Sequence, residues 1–162
     1  QKIEPNFAIK AAKTKEEMLS EMEKDVEANK YIFGLYYHNP KRDKGEFYVL
    51  SLKDEKILNK IMDKTKPVEY NKLNVTVLHT LIIDEILGRR DKNGALPDNV
   101  GYTHSEDEAI KMVEEGKYKL ALFLNPTKIE ELKNIALAGG LMPQKSTYFY
   151  PKLETGLVIN KL

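Results

Sequence analysis

Hydrophobic positions along the chain change repeatedly between strand-like and helix-like spacing. Two runs rich in aromatic and branched residues, at 31–37 and 47–52, predict β-strands. The polar stretch between them contains Pro40 and Gly45 and is typical of a turn, so the two runs predict a β-hairpin. Further strands are expected at residues 7–9, 100–102, 118–124, 147–150 and 156–159.

Capping boxes mark the starts of three predicted helices. In this motif a Ser or Thr and a Glu three residues later each satisfy a free backbone N–H at the helix start. The pairs are Thr14 with Glu17, Ser105 with Glu108 and Thr127 with Glu130. Glycines at 116 and 139–140 predict the ends of the second and third of these helices. A shorter helix is expected from Asp54 to about residue 64, before Pro67.

Residues 74–87 predict a buried helix, because apolar side chains surround nearly its whole circumference. Gly88 is placed to cap its C-terminus. His79 is therefore expected to be largely shielded from solvent, and a hydrogen-bonded core histidine is its simplest role.

A polar stripe interrupts this apolar helix. Thr76, Thr80 and Asp84 recur every four residues, and the stripe either lines a pocket, meets solvent or forms a hydrogen-bonding seam. In an α-helix His79 lies about 140° around the axis from Asp84. The spacing therefore predicts no local pairing of these two side chains.

Together the elements predict one α+β domain over residues 1–162, with a mixed or antiparallel sheet packed with about five helices. A chain of 162 residues can bury a core without disulfides or metals. The absence of cysteine excludes disulfides, thiol nucleophiles and cysteine-based zinc sites. The formal charge of +1 gives no general attraction to nucleic acid or to an anionic membrane. No apolar run has the length of a spanning helix and no signal-peptide pattern is present, so a cytoplasmic location without a membrane partner is expected.

The histidines are the candidates for acid–base chemistry. All three lie on separate predicted elements, and no pair has the four-residue spacing of helical metal ligands, so no metal site is predicted. His79 and His104 are the candidate catalytic residues, and the sequence does not choose between them. His104 precedes the helix that follows Ser105 and could contact an anion there. An ordinary surface position is the simpler interpretation.

The stretch 139–153 has the composition of an anion-binding loop. It holds a glycine pair, two lysines and adjacent hydroxyls, but no acid. Asn125 and Thr127 lie at the end of a predicted strand and the start of a helix, where backbone donors are free to share such a site. The candidate ligand- or phosphate-binding residues are Lys145, Ser146, Thr147, Asn125, Thr127, Tyr148 and Lys152.

The same stretch does not form a Walker A loop. Gln144 stands in place of the second glycine, and the loop follows a helix and leads into a strand. The alternative to an anion-binding loop is a structural crossover, in which the aromatic residues 148–150 pack on the sheet and the lysines are solvated.

The run MPQKSTYFYPKLETGLVINKL at residues 142–162 resembles the C-terminal signature of the bacterial and archaeal family catalogued as domain of unknown function 1015. Three further segments fit the same pattern in order: FGLYY at 33–37, LNVTVLHTLIIDEILG at 73–88 and NVGYTHSEDEAIKMVEEGKYKLALFLNPT at 99–127. Members of that family are usually more than twice as long. The resemblance, together with the first residue Gln1, therefore implies the C-terminal portion of a longer protein. Glu154 departs from the apolar or small residue that the pattern leads us to expect.

The resemblance implies two classes of function, since the family has no agreed activity. Its N-terminal portion is similar to partition-protein-like folds that also serve free-serine kinases, through an Asp-Gly-His-His-Arg type motif that this chain lacks. The first expectation is a domain that contributes to a phosphate- or nucleotide-handling site, with ATP or ADP bound by the full-length protein and no cofactor in this chain alone. The second is a non-catalytic regulatory or interaction domain. Expected partners are a small anionic ligand and the N-terminal portion of the same protein, and nucleic acid is not expected for this chain alone.

Overall fold

The fold is built on a four-stranded antiparallel sheet in the computed structural model, which describes residues 2–24, 31–88, 100–143 and 146. The strands are β1 (Phe7–Ala12), β2 (Ile32–Asn39), β3 (Lys44–Leu52) and β4 (Leu120–Leu124), in the order β1-β3-β2-β4. The predicted hairpin is confirmed as β2 and β3, with register from Asn39↔Lys44 to Ile32↔Ser51. The α+β prediction is confirmed, and the sheet is the antiparallel one of the two forms expected.

Six α-helices lie in the described part of the chain. They are α1 (Lys15–Lys24), α2 (Leu58–Ile61), α3 (Val68–Asn71), α4 (Asn74–Val77), α5 (Glu106–Glu114) and α6 (Ile129–Leu137). A 3-10 turn at Glu55–Ile57 leads into α2, and α4 continues directly into a π-helix at Leu78–Ile86. The predicted strands at 147–150 and 156–159 lie outside the described residues.

Side chains alternate between the two faces of the sheet along each strand. Both faces are covered by helices. The π-helix packs on one face, with the buried residues Phe7, Phe33, Leu50, Leu52, Leu78, Leu81, Ile82 and Ile86. Helices α1 and α5 contribute to the core of the other face, with Met18, Met22, Ile32, Tyr36, Val49, Val113 and Phe123. The π-helix is thus held on a rigid platform of strands.

A smaller cluster joins α6 to α4, the short helix that continues into the π-helix. Leu73, Val75 and Ile135 are buried together, with Met142 packed against them. A Cβ on Gly140 would lie 3.1 Å from both Ile135 and Pro67, so the backbone after α6 passes close to the start of α3. This packing fixes the position from which the chain continues towards Ser146.

The predicted caps are confirmed at two of the three boxed helices. Thr14 accepts from the Glu17 N–H at 3.2 Å, and Ser105 accepts from the Glu108 N–H at 3.3 Å. The third box was placed one residue too early, since α6 is preceded by Lys128 as its N-cap. The Thr127 hydroxyl instead donates to the Ser146 carbonyl at 3.2 Å.

One further element prediction was wrong, and another placed the end of a helix too late. Residues 100–102 form no strand; Gly101 instead lies against the Tyr118 ring, whose hydroxyl oxygen would be 2.5 Å from an added Cβ. The helix expected from Asp54 to residue 64 ends at Ile61. Beyond it, the Asp63 carboxylate accepts from the Thr65 N–H at 2.9 Å, a local turn that competes with continued helix.

Candidate functional site

The predicted buried helix at 74–87 is confirmed as helical and buried, but most of it is a π-helix. The Leu87 N–H donates to the Ile82 carbonyl at 2.9 Å, a bond that spans five residues instead of four. The π-helix is rare, and the single-turn π-bulges in which it mostly occurs are frequently found at functional sites. The segment after Val77 is therefore the first place to look for chemistry.

The π-helix changes which side chains share a face. Since backbone bonds now join residues five apart, His79 and Asp84 are neighbours on successive turns. The expectation that these two residues point about 140° apart assumed α-helical geometry and was wrong for this reason.

His79 is stacked on Tyr102. Their ring centroids are 5.9 Å apart with an angle of 7° between the planes, and the Tyr102 Oη lies 3.4 Å from His79 Nε2. The imidazole is half-buried, less shielded than expected for His79, whereas the Tyr102 side chain is 42% exposed. A phenol at the surface therefore lies against a half-buried imidazole.

Burial and Asp84 set the charge states of this pair. Burial lowers the pKa of His79, and the Asp84 carboxylate raises it by a smaller amount. Burial also raises the pKa of Tyr102, and Asp84 adds to that increase. At neutral pH the imidazole is therefore neutral and the phenol protonated, so the Tyr102 O–H is assigned as donor to His79 Nε2.

This cluster is well suited to accept a proton. The Tyr102 oxygen retains a lone pair towards solvent, and its own proton already lies on the path to His79 Nε2. The nearby carboxylate of Asp84 favours the imidazolium that would form. We refer to His79, Asp84 and Tyr102 as the histidine cluster.

The other candidate, His104, lies in a different environment. Its side chain is exposed, and it precedes α5 by two residues. The first turn of α5 holds three acids, Glu106, Asp107 and Glu108, and its N-terminus is already capped by Ser105. Negative charge in this turn opposes the approach of an anion to His104.

Four of the predicted anion-binding residues, Lys145, Thr147, Tyr148 and Lys152, lie outside the described residues. The anion-binding site that they would share stays a prediction.

The three located members, Asn125, Thr127 and Ser146, bond to backbone carbonyls. Asn125 Nδ2 donates to the Met22 carbonyl at 3.2 Å, and the Ser146 hydroxyl donates to the Pro143 carbonyl at 2.6 Å. With the Thr127 bond to Ser146, each donor is engaged in holding the backbone.

Three buried polar atoms on α3 and α4 lack a partner in the part of the chain that the structure describes, and the sequence did not predict them as a group. Asn71 Oδ1, Asn74 Oδ1 and Thr76 Oγ1 are buried and have no hydrogen-bond partner within the described ranges. Asn71 is 6% exposed, and its amide nitrogen donates to the Asp63 carbonyl at 2.9 Å. Leaving such groups without a partner costs about 1–3 kcal/mol each. No periodic signal in the sequence distinguishes them from neighbouring helical positions.

No grouping of three or more His, Asp or Glu side chains suited to a metal ion occurs in the part of the chain that the structure describes. Over the same residues, no helix combines the length and apolarity needed to cross a bilayer. Comparison with family models, curated proteins and solved structures found no match to this chain.

Proposed function

We propose that the chain contributes the proton-accepting part of an enzyme that transfers a phosphoryl group from ATP to a small hydroxyl compound. The observation that carries this proposal is the stacked pair of His79 and Tyr102 beside Asp84 on a π-helix. A neutral imidazole in contact with a surface phenol is a suitable general base for a substrate hydroxyl. The resemblance stated for the sequence supplies the phosphate-handling context.

The proposed step begins with the substrate hydroxyl donating to the Tyr102 oxygen. The substrate proton passes to Tyr102 as the phenolic proton moves to His79 Nε2, so the phenol is regenerated and the imidazole becomes cationic. The substrate oxygen then bonds to the γ-phosphorus of ATP, the bond from that phosphorus to the bridging oxygen breaks, and ADP leaves. Asp84 stabilises the imidazolium until its proton returns to solvent.

The phosphate-holding part of this proposal belongs to Lys145, Thr147 and Lys152. Lysine ammonium groups and a neighbouring hydroxyl offer the charge and donors that phosphate oxygens require. We assign the remaining nucleotide contacts to the longer protein of which this chain is proposed to be a part. We therefore expect the 162-residue chain alone to show no turnover with ATP and a small hydroxyl compound such as serine.

The test uses the longer polypeptide with ATP, a panel of small hydroxyl compounds, and detection of ADP release that depends on the acceptor. His79→Gln should lower kcat/KM by roughly 10²–10⁴-fold, the usual contribution of a positioned general base. Tyr102→Phe should lower it as well, because the relay loses its hydroxyl. His104→Gln is the matched control and should retain the parental rate. Equal rates for the parent and His79→Gln would contradict the assignment, as would turnover by the short chain alone.

A regulatory or interaction domain is the second candidate, and α6 supplies the observation that favours it. Ile129 and Leu137 on α6 and Leu141 beyond it are 79%, 76% and 86% exposed. Large exposed apolar side chains that form a patch are typical of protein interaction sites, and these three residues are proposed to contribute to one. Replacing Ile129 and Leu137 by Glu should then weaken association of the chain with its N-terminal portion, measured by isothermal titration. Unchanged association in that variant would count against it.

A further inference from the structure

A groove unrelated to the histidine cluster lies between the N-terminal segment, the 3-10 turn with α2, and the π-helix. Two adjoining cavities of about 400 and 430 Å³ share Asn6 and Ile57 in their walls. Each volume is within the range of sites that bind small molecules. Pro5 and Asn6 form one wall, which is fixed to the sheet by the bond from the Lys53 N–H to the Asn6 carbonyl at 3.0 Å.

The groove has an apolar floor and a cationic rim. Its floor consists of Ile57, Ile61, Leu81 and Ile86, of which the last two are buried. Its rim carries the exposed side chains of Lys2, Lys53, Lys56 and Lys60.

Positive charge is in excess around this rim. The four lysines face two acids in the lining, Asp54 and Glu85, a surplus of two charges on a chain whose formal charge is +1. The Asp54 carboxylate is already occupied as a cap, accepting from the Lys56 N–H at 2.9 Å. Lys53 Nζ donates to the Glu4 carbonyl at 2.7 Å, which leaves two of its three donors for a ligand.

We propose that this groove binds a small amphiphilic anion with an aliphatic body, such as a medium-chain carboxylate. The anionic head would lie among Lys53, Lys56 and Lys60, and the aliphatic body would cover Ile57 and Ile61. An inorganic anion would leave the floor exposed, and a neutral amphiphile would leave the rim without a counter-charge. No described residue in the lining is aromatic, so a nucleobase would find no ring on which to stack.

The proposal goes beyond phosphoryl transfer and does not depend on it, because no residue of the histidine cluster lines the groove. Its test is a titration of the chain with octanoate, octanol and acetate, followed by two-dimensional ¹H–¹⁵N NMR. Octanoate should shift the amide signals of the groove residues and bind at least tenfold more tightly than either octanol or acetate.

The variant is Lys56→Ala with Lys60→Ala, which should weaken octanoate binding by about tenfold, as expected for the loss of two exposed ion pairs. Lys111→Ala with Lys133→Ala is the matched control, since both are exposed helical lysines and the net charge changes equally. Its octanoate affinity should equal that of the parent. All four positions are exposed, so the folded state should be retained in both variants.

Several outcomes would overturn the proposal. Octanol binding as tightly as octanoate would show that the rim does not recognise the anionic head. An equal loss in the control variant would show that only the net charge matters. Binding to vesicles containing phosphatidylglycerol, without any binding of free octanoate, would assign the groove to a lipid surface instead of a free ligand. The absence of shifts in the groove residues would likewise contradict it.

Discussion

Gly34→Ala should destabilise the fold through the close approach of α1 to the sheet. Gly34 lies in β2, paired on both sides, with Val49 in β3 and Phe123 in β4. An added Cβ would lie 2.8 Å from Met22 Sδ, 2.9 Å from Met18 Sδ and 3.0 Å from Phe123 Cβ. Both methionines are at most 1% exposed, so neither sulfur can move into solvent to make room.

The magnitude follows from two opposing effects. Overpacking of a filled core costs about 1–3 kcal/mol, whereas alanine restricts the unfolded chain and returns about 0.4–1 kcal/mol. All three contacts of the added Cβ are at 3.0 Å or less, which places the overpacking cost in the upper half of its range, at about 2–3 kcal/mol. The net loss for Gly34→Ala is therefore about 1–2.6 kcal/mol in the free energy of unfolding. At about 2–4 °C per kcal/mol for a chain of this size, the Tm should fall by about 2–10 °C. Urea unfolding and calorimetry measure both quantities.

A second substitution identifies the cause. Met22→Val removes the sulfur, so Gly34→Ala should cost at least about 0.5 kcal/mol less in that background. Gly116→Ala is the comparison, because its added Cβ meets no atom within 4 Å and its cost arises from a backbone φ of +74°. Its effect should add to that of Met22→Val within about 0.5 kcal/mol. A Gly34→Ala protein as stable as the parent would refute the described packing of α1.

Three further predictions concern a cap, a buried hydroxyl and a titrating group. Ser105→Ala should cost about 1 kcal/mol in unfolding free energy, and Ser105→Gly only a few tenths, because the hydroxyl accepts from the Glu108 N–H. Tyr36→Phe should cost about 1 kcal/mol by urea unfolding, since the buried phenol donates to Glu114 Oε1 at 3.1 Å. Because the folded pKa of His79 lies below its ordinary 6.5, the unfolded chain binds the proton first as pH falls. Stability should therefore decrease from about pH 6.5 downwards, and His79→Gln should flatten that slope in urea unfolding at pH 7.5, 6.5 and 5.5; an unchanged slope would contradict it.

Local patterns in the sequence predicted much of the fold, because hairpins and helix starts depend on interactions between residues that are close together in the chain. The hairpin of β2 and β3 follows from two apolar runs around a turn, and the start of α5 follows from the reach of the Ser105 hydroxyl. The strand order β1-β3-β2-β4 was not predicted, since it depends on which strands pair across long stretches of chain. The end of α2 was not predicted. The hydrogen bond from the Thr65 N–H to the Asp63 carboxylate favours a turn there, although the apolar spacing is that of a continued helix.

The histidine cluster shows why a site is harder to predict than a fold. The approach of Asp84 to His79 depends on five-residue backbone bonds, and no residue pattern distinguishes that helix from an α-helix. The contact of Tyr102 with His79 joins positions 23 residues apart in the chain. Sequence reasoning identified His79 as a candidate, but assigned it neither of these neighbours.

The most direct test of the account is the pKa of His79, measured by NMR titration of the imidazole signals, with His79→Gln used for assignment. We expect a pKa below the ordinary 6.5 in the parent, because burial outweighs the attraction of Asp84. Asp84→Asn should lower that pKa further, since the carboxylate is the group that favours the imidazolium. A pKa at or above 6.5, or one that does not respond to Asp84→Asn, would show that these side chains do not form a coupled proton acceptor.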